Sequence, residues 1–404
     1  MPQPMHSLDL VAENRIPPIL RQAFRPLFLS GAVFSALAVL VWGMYLSGYV
    51  LPQPFGGMRF WHAFEMLFGF AGAAVVGFLL TAVQNWTGLR AIHGKALALL
   101  VGFWLVARMM MFCGHTPAFW FLAFANSGFF LLAAIAMARL LIAAQNYRNL
   151  FLVALLLLMA VASLFSLLSV QLGDNQWFIT GTRSALMIIA TMMVIIGGRV
   201  IPMFTANGTG TLRKPAIPWL EGLALSLSWG LAIITLCGGL SRLPSWLLSA
   251  LFGLAALANT LRLGRWLTAK AFNVPLVWSL HLAYAFIPLG FALFSLHFAG
   301  VAVTFSTALH ALTAGAMGSL ILAMISRVSL GHSGRAIVAH PLMSLAFMAV
   351  ALAALTRILL GLIPSWQGHW TFMLSTVLWA GAYLLFVILY FPALTSARID
   401  GRPG

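Results

Sequence analysis

Acidic side chains are nearly missing from this chain: Asp and Glu number 6 among 404 residues, against 22 Lys and Arg. Charge of either sign is scarce, at 7% of residues, while 62% are hydrophobic and the mean hydropathy is +1.01. So little polar surface excludes a water-soluble globular domain and places the chain in lipid. There are 2 cysteines, Cys113 and Cys237, both at the ends of apolar runs. Two helix-packed structural cysteines are a better reading of them than a disulfide. No Cys-x-x-Cys-His stretch offers covalent haem attachment, and no phosphate loop, dinucleotide fingerprint or nucleophile elbow is present. The net charge of +16 would suit nucleic acid, but the basic residues fall between apolar runs rather than along a stripe. The positive-inside rule accounts for them, and nucleic-acid binding is not expected.

Apolar stretches long enough to span a bilayer cover about 27–50, 61–84, 96–113, 118–143, 150–170, 178–203, 218–238, 245–263, 275–298, 302–326, 341–362 and 370–392. The expected fold is an all-α polytopic membrane protein of about twelve transmembrane helices. Residues 1–26 form an N-terminal segment, 27–394 one transmembrane domain, and 395–404 a C-terminal tail. Met1 to Gln22 reads as polar and proline-bearing without a removable leader, so the first span is expected to be its own insertion signal. Most Lys and Arg fall on the side that holds both termini, which makes that side cytoplasmic. Arg59, Arg108, Arg183, Arg242 and Arg357 lie on the other side or inside helices, where a charge needs a partner.

Helices 2, 6 and 10 end in related polar segments about 120 residues apart: Thr81 to Gly88, Arg199 to Gly208 and Arg327 to Gly334. The recurrence suggests three four-helix units with helices 2, 6 and 10 lining the centre. Within this frame the histidines form two layers. Near the expected outer side are His62 and Glu65 on helix 2, His297, His310 on helix 10, and His369, with His115 in a loop. Near the inner side are His281 and Tyr284 on helix 9, His93, His332 and His340, together with Arg199 and Arg327.

Neutral imidazole is a common ligand for haem iron and for copper, so two intramembrane histidines on neighbouring central helices are a candidate metal site. Glu65 stands three residues after His62, a spacing expected to bring both onto one helix face. It could fix the tautomer of a liganding His, ligate metal, relay protons, or pair with Arg59, Arg108 or Arg183. Arg183 at a similar depth could instead hold an anionic group such as a haem propionate. A lone intramembrane His that hydrogen-bonds a backbone carbonyl or a hydroxyl is the plainer alternative for each histidine taken singly. Tyr284 is equally at home in an interface belt, and Arg199 and Arg327 in positive-inside anchoring.

Four stretches together carry a family resemblance: Trp61 to Phe70, Gly77 to Gly88, Gly198 to Thr205, and His310 to Gly318 running into Ser326 to Arg335. From about Phe24 to the final helix the chain resembles the NnrS family. The resemblance implies a bacterial inner-membrane protein that contains haem and copper and is linked to nitric oxide metabolism and nitrosative stress. It makes His62, Glu65 and His310 the foremost metal-site candidates, with His281, Tyr284, Arg199, Arg327 and His332 as supporting matches. The family pattern usually reads Trp-His-x-His-Glu-Met, and Phe64 stands where the second His would be; Gln84 likewise replaces a frequent proline.

The expected function is therefore that of a haem protein, with copper as a second metal, embedded in the lipid bilayer. It would bind or handle nitric oxide or a nitrosylated iron species, with no assignment of a reaction or of a protein partner. A transporter or channel for a small solute or metal species is the alternative, with His62 and Glu65 as its binding point. A scaffold for a respiratory enzyme is the third reading.

Overall fold

A computed structural model describes residues 10–51, 53–112, 114 and 118–402. Among these, twelve helices are long and apolar enough to cross a membrane: α1 Phe24–Leu46, α2 Gly57–Thr87, α3 Gly94–Met111, α4 Phe119–Ala143, α5 Tyr147–Leu172, α6 Asn175–Thr209, α7 Pro218–Leu236, α8 Ser245–Trp266, α9 Pro275–Phe298, α10 Phe305–His332, α11 Pro341–Leu362 and α12 His369–Thr395. The chain is a multi-pass all-α membrane protein, as its composition requires. The pairing of Cys113 and the position of His115 fall outside the described residues.

Consecutive helices pack against one another, and α12 packs on α1, so the last helix returns beside the first. Arg25 secures that closure. It is fully buried and donates through Nη1 to the carbonyls of Leu394 at 3.2 Å and Ser396 at 2.5 Å, just where α12 runs out of intrahelical donors. Both ends of the bundle chain thus meet at one face. The most buried spans are α2, α6, α9 and α10. The expected central trio is therefore at the centre, with α9 as a fourth member that the repeat pattern did not single out.

Two devices keep polar groups inside this bundle. The first is pairing: Arg262 on α8 grips Glu221 on α7 bidentately, at 3.1 and 2.8 Å, while its Nη1 donates to Tyr284 Oη on α9 at 2.7 Å. Tyr284 in turn donates to Asn259 Oδ1 at 2.6 Å. The second is helix continuity through proline. Pro202 and Pro288 lie inside α6 and α9, which run on through them, so the residues beyond keep their helical register. The Gly197-Gly198 pair on α6 belongs to the same network, since a Cβ on Gly197 would meet the Tyr284 ring and one on Gly198 the Arg262 guanidinium.

Gln84, the departure from the family proline, has a definite role at the end of α2. Its Oε1 accepts from Arg90 Nη1 and from the Ala91 backbone N–H, both at 3.1 Å. Arg90 also pairs with Glu13 at 2.6 Å. A proline could not supply that acceptor.

Candidate functional site

Near the N-terminal ends of α2, α6 and α10 the bundle opens into a cavity of about 500 Å³. His62 from α2, Arg183 from α6 and His310 from α10 all line it, joined by Arg357 from α11 and Trp42 and Trp379 from α1 and α12. Three of the residues singled out in the sequence thus converge, one from each central helix. All four cationic or imidazole side chains are half-buried.

The two histidines are held differently. The His310 Nδ1 lies 2.7 Å from the Ser306 carbonyl oxygen, one helical turn back. A carbonyl only accepts, so this nitrogen carries the proton and the Nε2 lone pair is left free, the arrangement in which an imidazole binds metal. His62 stacks on Trp42, with ring centroids 4.4 Å apart and planes 8° from parallel, and its buried Nδ1 has no hydrogen-bond partner among the described residues. Stacking fixes the ring plane and leaves the nitrogens uncommitted.

The two arginines lack carboxylate partners among the described residues. Arg183 lies over the Phe305 ring at 3.9 Å, and Arg357 reaches Ser306 Oγ at 3.4 Å and sits 5.8 Å from the Phe372 ring. Cation–π contact offsets part of the burial of a guanidinium without neutralising it. The cavity accordingly carries uncompensated positive charge that an anionic group would meet.

Both histidines stand at the start of a widened turn. In α2 the π-helical segment Glu65–Ala71 begins three residues after His62, and in α10 the segment Ala311–Gly318 begins directly after His310. Such turns are rare and are frequent at functional sites. Nothing in residue spacing announces them.

Glu65 does not join the cavity. Three residues advance an α-helix to within about 60° of its starting direction, and in so crowded a bundle that difference sends His62 to the cavity and Glu65 to α3. The one-face expectation is corrected on this point. Glu65, fully buried, forms an ion pair with Arg108 at 2.7 Å, and Arg108 Nη2 also donates to Asn126 Oδ1. Phe34, Phe64 and Trp104 surround the guanidinium at about 6 Å. Phe64 therefore faces the charge pair and its neighbours Phe60 and Phe68. It lies behind the cavity wall.

The supporting matches lie elsewhere. His281 shares a hydrogen bond of 2.9 Å with Thr205, whose hydroxyl donates to the Ile201 carbonyl, so His281 Nε2 is the donor. Tyr284 belongs to the Arg262 network. Arg199 binds Asn149 Oδ1 at 2.8 Å, and Arg327 covers the Phe204 ring at 4.1 Å. His332 lies 5.7 Å from the Phe24 ring, with its carbonyl taken by Arg398. None of these lines the cavity. Arg357, Trp42 and Ser306 were not among the site candidates, although a charge inside helix 11 without a nearby acid was a usable signal for Arg357. No group of three His, Cys, Asp or Glu suited to a metal ion occurs among the described residues.

Fold and cavity together define a class: a polytopic helical membrane protein in which the three central helices and α11 present two imidazoles and two guanidinium groups, without carboxylate partners among the described residues, to one space. The family model described as NnrS protein matches residues 18–398, and the chain belongs to that family. At the level of the family this is a membrane protein linked to nitric oxide stress. No curated protein matches the chain.

Proposed function

We propose that the cavity is a haem site and that the protein uses it to bind or handle nitric oxide, or to protect against nitrosative stress, in an inner membrane with both termini cytoplasmic. The observation that supports this reading is the convergence of His62, His310, Arg183 and Arg357 on one space, with an Nε2 lone pair free on His310 and an uncommitted Nδ1 on His62. The donor set fits a haem: an imidazole for the iron, arginines for the propionates, and Trp42 and Trp379 as apolar walls. Bound there, a haem would supply an iron that accepts nitric oxide as a ligand. The chain's part is to orient the imidazoles, through Ser306 and Trp42, and to neutralise anionic groups. Copper is the second proposal, resting on the same two imidazoles.

Protein purified from membranes is expected to contain iron in the form of haem and to show a Soret band that shifts with nitric oxide and disappears in His310→Ala or His62→Ala. A preparation with neither iron nor copper and no such band refutes the reading. The transporter alternative finds little support, because below Met317 the space between the central helices is lined by apolar residues throughout.

A further inference from the structure

Beneath the cavity the same three helices, with Phe28 of α1, line a second, partly open space of about 80 Å³. Met192 and Met193 from α6 and Met317 and Met324 from α10 line it, with aliphatic and phenyl side chains as the remainder. Met317 lines both spaces, and it belongs to the widened turn of α10. The two are thus neighbours with one flexible thioether between them.

Its contents follow from its lining. The volume would accommodate water, but a buried water needs two to four polar partners and this wall presents none, so the space is dry. Four thioethers could attract a soft metal ion. A cation here would have no counter-charge, since no lining residue is ionisable, and charge far from water and partners is strongly disfavoured. A small, uncharged, weakly polar occupant remains. Access from the hydrocarbon phase or the far end is also indicated: Val75, Phe78, Ile196 and Ile321, all beyond Met317 when seen from the cavity, are the half-buried members of the lining.

We infer that this chamber is a binding station for a small uncharged molecule such as a diatomic gas, which passes Met317 to reach the cavity of His62 and His310. The chamber stands on its own lining; its link to the cavity rests on the haem reading above. Charged and polar species are confined to the other approach, where Arg183 and Arg357 lie.

Xenon is the probe, because it binds dry apolar cavities without chemistry. Xenon titration followed by xenon magnetic resonance of the purified protein is expected to show one saturable site. That site is lost in Ala74→Phe, which fills the chamber from α2, and kept in His62→Ala. Ile189→Phe fills it from α6 and serves where Ala74→Phe does not fold. No saturable site, or a site that survives both filled variants, overturns the proposal. Because this arm needs no haem, it reads the chamber whether or not the haem reading holds. In haem-loaded protein, saturating xenon is expected to slow nitric oxide association; an unchanged rate overturns the chamber's role as a station on the way to the cavity.

Discussion

Removing one charge from the Glu65 and Arg108 pair is the most discriminating perturbation of the centre of this molecule. At 2.7 Å two unit charges attract by about 6 kcal/mol in an effective dielectric of about 20. Stripping water from each ion costs several kcal/mol, so the intact pair is close to neutral in the balance. Deleting one member is different. It leaves the other buried without compensation, at a penalty on the order of 3–5 kcal/mol. The two deletions should also differ from each other, because a carboxylate can neutralise itself by taking up a proton and a guanidinium cannot. Glu65→Gln, which strands Arg108 among Phe34, Phe64 and Trp104, is expected to be the more damaging, and Arg108→Met the milder. The double variant should recover about 2 kcal/mol relative to the sum of the singles. Unfolding in mixed micelles titrated with dodecyl sulfate, run as a double-mutant cycle, measures all three. Additive effects, or an Arg108→Met variant worse than Glu65→Gln, would refute the assignment of this pair as mutual compensation.

Phe64→His should not add a ligand to the cavity, because position 64 faces Arg108. It is expected to destabilise on the order of 3 kcal/mol through lost packing and a buried imidazole beside a cation, and to leave metal content unchanged; a gain of metal in elemental analysis would contradict this. Tyr284→Phe removes the hydroxyl that donates to Asn259 Oδ1 and accepts from Arg262 Nη1, while the 3.2 Å hydrogen bond between Arg262 and Asn259 remains, so the loss is about 1 kcal/mol by the same unfolding assay. Asp400 lies beyond α12, and the hydrogen bond from Arg398 holds its carboxyl below the ordinary carboxylate range. Its contribution to docking the tail on His332 and Ser333 is therefore present at neutral pH and persists in mild acid, lost only as pH falls through that lowered value. The protection of the tail amides relative to their intrinsic exchange rate at each pH should stay flat between about pH 7 and 5 and fall in Asp400→Asn.

The twelve spans and the class of protein were legible because a bilayer sets helix length and polarity so tightly that composition alone declares them. His62, His310 and Arg183 were legible for the same reason: a polar side chain in a long apolar run is conspicuous. What escaped was everything set by packing between distant helices. Arg357 and Trp42 reach the cavity from segments that are more than 300 residues apart, and no periodicity links them. The partner of Glu65 was one of three arginines on the sequence and became Arg108 only when α3 was seen beside α2. The widened turns after the two histidines leave no pattern either, since they are backbone responses to neighbours.

The arrangement of the lining explains why the three central helices carry the site while the others support it. Along α6, Ile179, Arg183 and Leu186 face the cavity, and Ile189, Met193 and Ile196 continue the same stripe into the chamber. Along α10, Ser306, His310, Thr313 and Met317 are followed by Leu320 and Met324 in the same way. Steps of three and four residues keep one helix face on the axis throughout, so a single stripe serves two compartments and only its polarity changes. Above Met317 it offers imidazole, guanidinium and hydroxyl; below, only thioether, alkyl and phenyl groups. A bilayer helix has no hydrophobic reason to segregate its own lining in this way, because lipid accepts apolar groups on any face. The segregation fits the two kinds of guest proposed above: an anionic or metal-bearing one held among the charges, and an uncharged one that meets it from the dry side.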